Sequence, residues 1–177
     1  MNSKLKKVAI GLSATGLLTL VACQSMEQGT GQKASANLEP RSGSQTKGEV
    51  TFVWQGSDVL INGKFSGLKP NAEQGFHVHE KGDCSAPDAM SAGGHFNPET
   101  KAHGMPNSGM NHAGDLPNIK SDANGNATYT AKLHDFAVNT GPNGIVGRSV
   151  VVHRDPDDYK SQPAGNSGPR IACGLIK

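Results

Sequence analysis

Two histidines stand one residue apart in GFHVHEKGDC, Gly75 to Cys84. In a strand, residues i and i+2 share a face about 7 Å apart, so His77 and His79 can converge on one ion while Val78 turns into the core. Such a pair alone fits a hydrogen-bonded surface as well as a metal site. The chain has only seven histidines, and the placing of the others sharpens the reading. His95 in GGHFNP, His103 in HGMPNSG and His112 in HAGDL fall in or just after one irregular segment, followed by Asp115. Imidazole and carboxylate are natural zinc ligands, and three histidines with an acid can close a tetrahedral site. A closed site of this kind is structural: coordination replaces the apolar core that a glycine-rich loop cannot build. His153 ends the apolar run SVVVH and can reach the His77 and His79 pair from a neighbouring strand. His134, in LHDF, has no such company and is expected on the surface.

These side chains need rigid elements to hold them. Apolar and polar residues alternate in GEVTFVW (Gly48 to Trp54) and DVLINGKF (Asp58 to Phe65), separated by a Gly-Ser turn, which predicts a β-hairpin. Further strands are expected over Ala34 to Leu38, Gly75 to Glu80, Leu116 to Lys120, Ala127 to Leu133, Ser149 to His153 and Ile171 to Ile176. Turn clusters such as DANGN separate them, and no segment has a convincing helical period. Gly and Pro make up 33 of 177 residues, which implies many turns without the composition of a disordered chain. The expected fold class is all-β, eight strands in an antiparallel sandwich or flattened barrel. The segment from Lys81 to Ala113 lacks periodicity, and an ordered loop of that length is usually functional.

The N-terminus reads as a targeting segment: Lys4, Lys6 and Lys7 form a basic head, and Val8 to Val21 an apolar run too short to span a bilayer comfortably. The run ends in LVAC, which resembles the lipobox of bacterial lipoproteins, where the cysteine is lipidated. The expected organisation is a lipoprotein signal peptide over 1–22, a flexible tether over 23–33 and one domain over 34–177. A plain secretory signal cut nearby is the alternative, and either way the domain is exported. The lipobox implies a protein held by lipid at Cys23 on the extracytoplasmic face of a bacterial membrane. Removing the three lysines takes the formal charge from +2 to −1 and leaves no basic stretch for nucleic acid. Three cysteines in an exported chain leave one odd; with Cys23 lipidated, Cys84 and Cys173 are expected to pair.

Taken in order, GFHVHEKGDC, GGHFNP, HGMPNSGMNHAGDLPN, GRSVVVHRDPDDY and GNSGPRIACGLI resemble the successive signatures of the copper/zinc superoxide dismutase family, over nearly all of Ala34 to Lys177. The resemblance implies a Greek-key sandwich with long metal-binding loops. It also implies one copper ion on His77, His79, His95 and His153, and one zinc ion on His95, His103, His112 and Asp115, with His95 shared. Asp157 matches the acid that hydrogen-bonds a ligand histidine of each metal, Arg170 the arginine beside the copper opening, and Cys84 with Cys173 the intrasubunit disulfide. The implied reaction converts superoxide to dioxygen and hydrogen peroxide by Cu(II)/Cu(I) cycling. His95 would release copper, take up a proton and deliver it to the forming peroxide, and Arg170 would draw in the anion. Two departures stand out: Arg154 follows the last copper ligand where an acid is common, and the loop from Tyr159 to Pro169 is short. A non-catalytic copper-binding lipoprotein that stores or transfers metal is the alternative, with Met105 and Met110 as its thioethers. A zinc-only adhesion sandwich would leave His77, His79 and His153 without purpose.

Overall fold

The computed structural model describes residues 31–177; the expected signal peptide, Cys23 and nearly all of the expected tether lie outside the described residues. Nine strands form: β1 (Lys33–Pro40), β2 (Lys47–Gln55), β3 (Asp58–Ser66), β4 (Glu73–Gln74), β5 (Phe76–His79), β6 (Ile119–Lys120), β7 (Ala127–Leu133), β8 (Ser149–His153) and β9 (Arg170–Leu175). β1 and β3 alternate exposed and buried positions, the pattern of strands with one face on a core. The β2–β3 hairpin pairs Gln55 with Asp58, leaving a two-residue turn in which Gly56 takes φ +82°, open to glycine at no steric cost.

Seven strands make one curled antiparallel sheet in the order β5-β8-β9-β1-β2-β3-β7. β1 pairs with β2 from Lys33 to Leu38 but with β9 only at Glu39 and Pro40, so the sheet turns a corner at the end of β1. The connections from β3 to β5 and from β7 to β8 cross between opposite ends of the sheet, which makes the topology a Greek key. Phe52, Ile61, Phe65, Phe76, Val78, Val150 and Val152 fill the space between the two halves. Phe76 packs edge-on against Phe65 and Tyr129, with ring centroids 5.4 and 5.2 Å apart.

The structure adds one strand to the eight expected. Of the stretch Leu116 to Lys120 only Ile119–Lys120 is strand, paired with the unforeseen Glu73–Gln74. Pro117 has no N–H for a ladder, and Leu116 is fully buried as a core anchor rather than a strand residue. A 3-10 turn at Met90–Ala92 is the one helical element among the described residues.

β5 forms one edge of the large sheet, and the irregular segment covers it. Val78 N–H donates to Gly114 C=O at 2.9 Å, Phe96 N–H to Val78 C=O at 2.8 Å and Glu80 N–H to Gly94 C=O at 2.9 Å. This pairing satisfies the open edge and sets residues of the loop opposite those of the strand: His95 faces His79, and Asp115 faces His77. The loop is held elsewhere by the disulfide between Cys84 and Cys173, whose Cα atoms lie 5.8 Å apart. Arg41 donates from Nε and Nη2 to the Cys84 carbonyl at 2.9 and 2.7 Å, fastening the same segment to the end of β1.

The disulfide spans 89 residues, so the chain-entropy model predicts that replacing both cysteines by serine destabilises the metal-free protein by about 4 to 5 kcal/mol. Denaturant unfolding of the two forms measures it, and a difference near zero would show that the loop is ordered without the bond.

Candidate metal centre

β5 and β8 are buried throughout their length, and three of the seven residues the sequence singles out stand on them: His77 and His79 on β5, His153 at the end of β8. His95, His103, His112 and Asp115 come from the loop laid along β5. All seven are buried, although they are separated by as many as 76 positions. They form two groups, His77, His79, His95 and His153, and His95, His103, His112 and Asp115; within each group, one ligand atom per residue lies within 4.8 Å of the others. His95 belongs to both. The His77 and His95 rings lie 3.9 Å apart between centroids.

Each ring of the first group commits one nitrogen to a protein oxygen and leaves the other free. His79 Nδ1–H donates to Gly93 C=O at 3.0 Å, and His153 Nδ1–H to Gly168 C=O at 3.1 Å. A carbonyl cannot donate, so these bonds fix the tautomers and leave lone pairs on both Nε2 atoms. Those two atoms face one another at 3.3 Å. His77 Nε2–H donates to Asp157 Oδ2 at 2.8 Å, which leaves its Nδ1 buried without a hydrogen-bond partner. His95 Nε2 is likewise buried and unpartnered. Buried polar atoms are normally satisfied, so two orphaned nitrogens beside a pair of opposed lone pairs are the donor set of a bound cation. Burial lowers the pKa of His77, His79 and His95, and brings that of His153 down to about 3, so at neutral pH these rings are uncharged ligands.

The second group is built around one oxygen. Asp115 Oδ1 has His95 Nδ1 at 2.8 Å, His103 Nδ1 at 3.0 Å and His112 Nδ1 at 3.4 Å. Asp115 Oδ2 accepts from the backbone N–H groups of Gly104 and His112 at 3.1 and 2.8 Å, which sets the carboxylate's orientation. His103 gives its Nε2–H to Asp157 Oδ1 at 2.9 Å, so in neutral form its Nδ1 lone pair points at a carboxylate. That arrangement calls for positive charge between them. Burial works to lower His103, but the hydrogen bonds to Asp115 and Asp157 outweigh it and raise the pKa to about 9. Burial also pushes Asp115 up, and its hydrogen bonds with His103, His112 and His95 reverse this, holding the carboxyl well below the usual range. Without metal, a proton on His103 does part of a cation's work.

Asp157 joins the two groups by accepting from His77 with one oxygen and His103 with the other. Its own place is set by Asn118, whose Oδ1 accepts from Asp157 N–H and whose Nδ2 donates to Asp157 C=O, both at 3.0 Å. Arg170 is half-buried at the start of β9, with Nη1 donating to Ala89 C=O and Nη2 to Gly93 C=O, each at 2.7 Å. No carboxylate among the described residues lies within salt-bridge distance of it, and Asp88 acts on it only through space. Gly93 C=O therefore serves both His79 and Arg170. A family model described as copper/zinc superoxide dismutase matches residues 46–176.

The chain belongs to the copper/zinc superoxide dismutase family. It is 41% identical over 177 residues to Superoxide dismutase (Cu-Zn) 2 of Aquifex aeolicus (strain VF5), covering 98% of this chain and 100% of that protein. It is 46% identical over 137 residues to Superoxide dismutase (Cu-Zn) of Paramecium bursaria Chlorella virus 1, over 73% of this chain and 72% of that one. Among solved structures it is similar to the clock protein EA4, at 41% identity and a TM-score of 0.74 over 84% of this chain and 95% of that one. It is also similar to a double mutant of a SOD-like protein from Bacillus subtilis, at 38% identity and a TM-score of 0.71 over 79% and 94%.

Sequence reasoning missed the carbonyls of Gly93 and Gly168, the anchor Asn118 and the close approach of Gly165. His134 is exposed, and Met105 and Met110 are 54% and 69% exposed, while every member of the two groups is buried. Arg154 pairs with Asp155 at 2.9 Å on the surface.

Gly165, at φ +62°, lies against the hydrogen bond between Asp157 and His103, where a Cβ would collide with Asp157 Oδ1 and sit 2.7 Å from His103 Nε2. Gly165→Ala should cost about 1 to 3 kcal/mol of stability and remove the His103 Nε2–H signal from the downfield proton spectrum. Retention of both the signal and the stability would show that the loop accommodates a side chain.

Proposed function

We propose that His77, His79, His95 and His153 hold copper, that His95, His103, His112 and Asp115 hold zinc, and that the domain works outside the cytoplasm on a lipid tether at Cys23. The chain is a superoxide dismutase, an oxidoreductase that converts superoxide to dioxygen and hydrogen peroxide. The observation that carries the metal assignment is the sharing of His95 between two buried groups, one of four imidazoles and one of three imidazoles and a carboxylate. Four nitrogens suit Cu(II), and a closed set of three nitrogens and one oxygen suits structural zinc. When bound, copper supplies one-electron chemistry by alternating between Cu(II) and Cu(I) as one superoxide is oxidised and the next reduced.

The protein's own groups supply position, charge and protons. Two superoxide anions and two protons give one dioxygen and one hydrogen peroxide. His95 Nε2, buried and without a protein partner, is the atom suited to take up one proton and give it to the reduced substrate, while Nδ1 stays turned to the group of Asp115 and His112 that would hold zinc. Gly93 and Gly168 hold His79 and His153 in the tautomers that keep Nε2 free. Arg170 presents an immobilised cation with no carboxylate in salt-bridge contact to a substrate with little surface to recognise by contact, so attraction sets the encounter rate. The lipid tether is supported by the basic head and by LVAC at the end of the apolar run. No helix among the described residues is long and apolar enough to cross a membrane.

Under this assignment His153→Ala abolishes superoxide consumption and leaves zinc bound, whereas His112→Ala releases zinc and lowers thermal stability; metal analysis beside the activity assay separates the two. Normal turnover in a copper-loaded His153→Ala protein would sink the assignment. Cys23→Ser should leave the native protein unprocessed or free it from the membrane fraction, and mass spectrometry finding an unlipidated N-terminus elsewhere would refute the tether. Arg170→Ala should slow the reaction at unchanged metal content and Arg170→Glu should slow it further. Added salt, which screens over about 8 to 10 Å at moderate ionic strength, should slow the native enzyme and relatively assist the Glu variant. Equal rates and salt slopes for all three would mean that Arg170 guides nothing.

A further inference from the structure

The irregular segment that carries His103 meets a second loop, residues 155–169, through a side chain that belongs to neither metal group. Gln162 lies against the main chain of His103 with both ends of its amide. His103 N–H donates to Gln162 Oε1 at 2.9 Å, and Gln162 Nε2 donates to His103 C=O at 2.9 Å. His103 is only 3% exposed, so its peptide groups are largely cut off from water and need partners in the protein. A side-chain amide offers an acceptor and a donor together, which a carboxylate or an ammonium cannot.

The same loop grips His103 on its other side. Asp157 accepts from the imidazole, and Gly165 packs over that hydrogen bond. The loop's internal order has a separate source: Asp158 accepts from the backbone N–H of Lys160 and of Ser161 at 2.9 and 2.8 Å, and from Asn166 Nδ2 at 3.1 Å. Gln162 adds one long contact to that order, Nε2 to Lys160 C=O at 3.3 Å, while its two shorter bonds, both at 2.9 Å, go to His103. The two ends of the loop reach the other metal group, Asp157 through His77 and the Gly168 carbonyl through His153.

We infer that Gln162 is a positioning residue that sets how firmly zinc is retained, and that through the 157–168 segment it couples zinc retention to the histidines of the copper group. The inference rests on the metal assignment above. Stranding two buried peptide groups of a ligand residue favours the state in which His103 swings away, and zinc leaves from that state. The displaced loop in turn relaxes the oxygens that orient His77 and His153.

The test uses the native protein, Gln162→Ala and Gln162→Glu, each loaded with copper and zinc and compared by zinc release to a chromophoric chelator and by the Cu(II) paramagnetic resonance spectrum. Gln162→Ala should release zinc about tenfold faster or more, a change of about 1.4 kcal/mol. Its Cu(II) spectrum at full loading should shift toward that of native protein stripped of zinc. Gln162→Glu keeps the acceptor for His103 N–H and loses the donor, so its release should fall between the two. Native-like release or an unmoved Cu(II) spectrum in Gln162→Ala overturns the inference. If that variant fails to fold, the Glu variant decides: release as slow as native overturns the inference, and faster release supports it. A native protein that takes up no zinc fails the metal assignment, and the native control identifies that failure.

Discussion

A buried imidazole has two nitrogens, and the centre depends on giving each of them one fate. Where a protein oxygen takes one nitrogen's proton, the other is left as a lone pair with no hydrogen-bond donor to meet it. Asp157 does this for His77, and the Gly93 and Gly168 carbonyls do it for His79 and His153. Desolvation then keeps the rings of His77, His79, His95 and His153 neutral, so four lone pairs gather in one buried space. The cost of leaving such atoms unpaired is what makes the arrangement select for a cation.

Rigidity is unequally shared. His77, His79 and His153 stand on paired strands whose neighbours are core residues, whereas His95, His103, His112 and Asp115 stand on a loop with little core of its own. The loop gains order by pairing with the open edge of β5, by the disulfide to β9 and by the clasp of Arg41 on Cys84. Because His95 lies on the loop but serves both groups, the group built on β5 and β8 is completed from outside the sheet.

A half-buried guanidinium and an imidazole of the first group share one acceptor. Gly93 C=O accepts from Arg170 and from His79, so the half-buried guanidinium is registered against a ring whose Nε2 lone pair faces His153. Gly93 permits this because its φ of +74° turns the carbonyl as few other residues can, and a side chain there would strike Glu80.

The amino-acid sequence by itself determined the strands with clear alternation and the residues that can bind metal. Ala127–Leu133 and Ser149–His153 have the bounds their pattern predicts, and the seven residues picked out by type and spacing are the seven that converge. A two-residue alternation dictates which side chains share a face whatever the rest of the chain does, and histidine has few roles in a buried cluster. Tertiary structure decided what no local pattern encodes. Leu116 to Lys120 reads as a strand, yet Pro117 and the burial of Leu116 leave only its last two residues to pair with Glu73–Gln74. Which nitrogen of His77, His79 and His153 faces inward was settled by Asp157, 80 positions from His77, and by two glycine carbonyls. Every residue has a carbonyl, so its chemistry leaves no mark in the sequence; only the path of the folded chain brings it to a histidine.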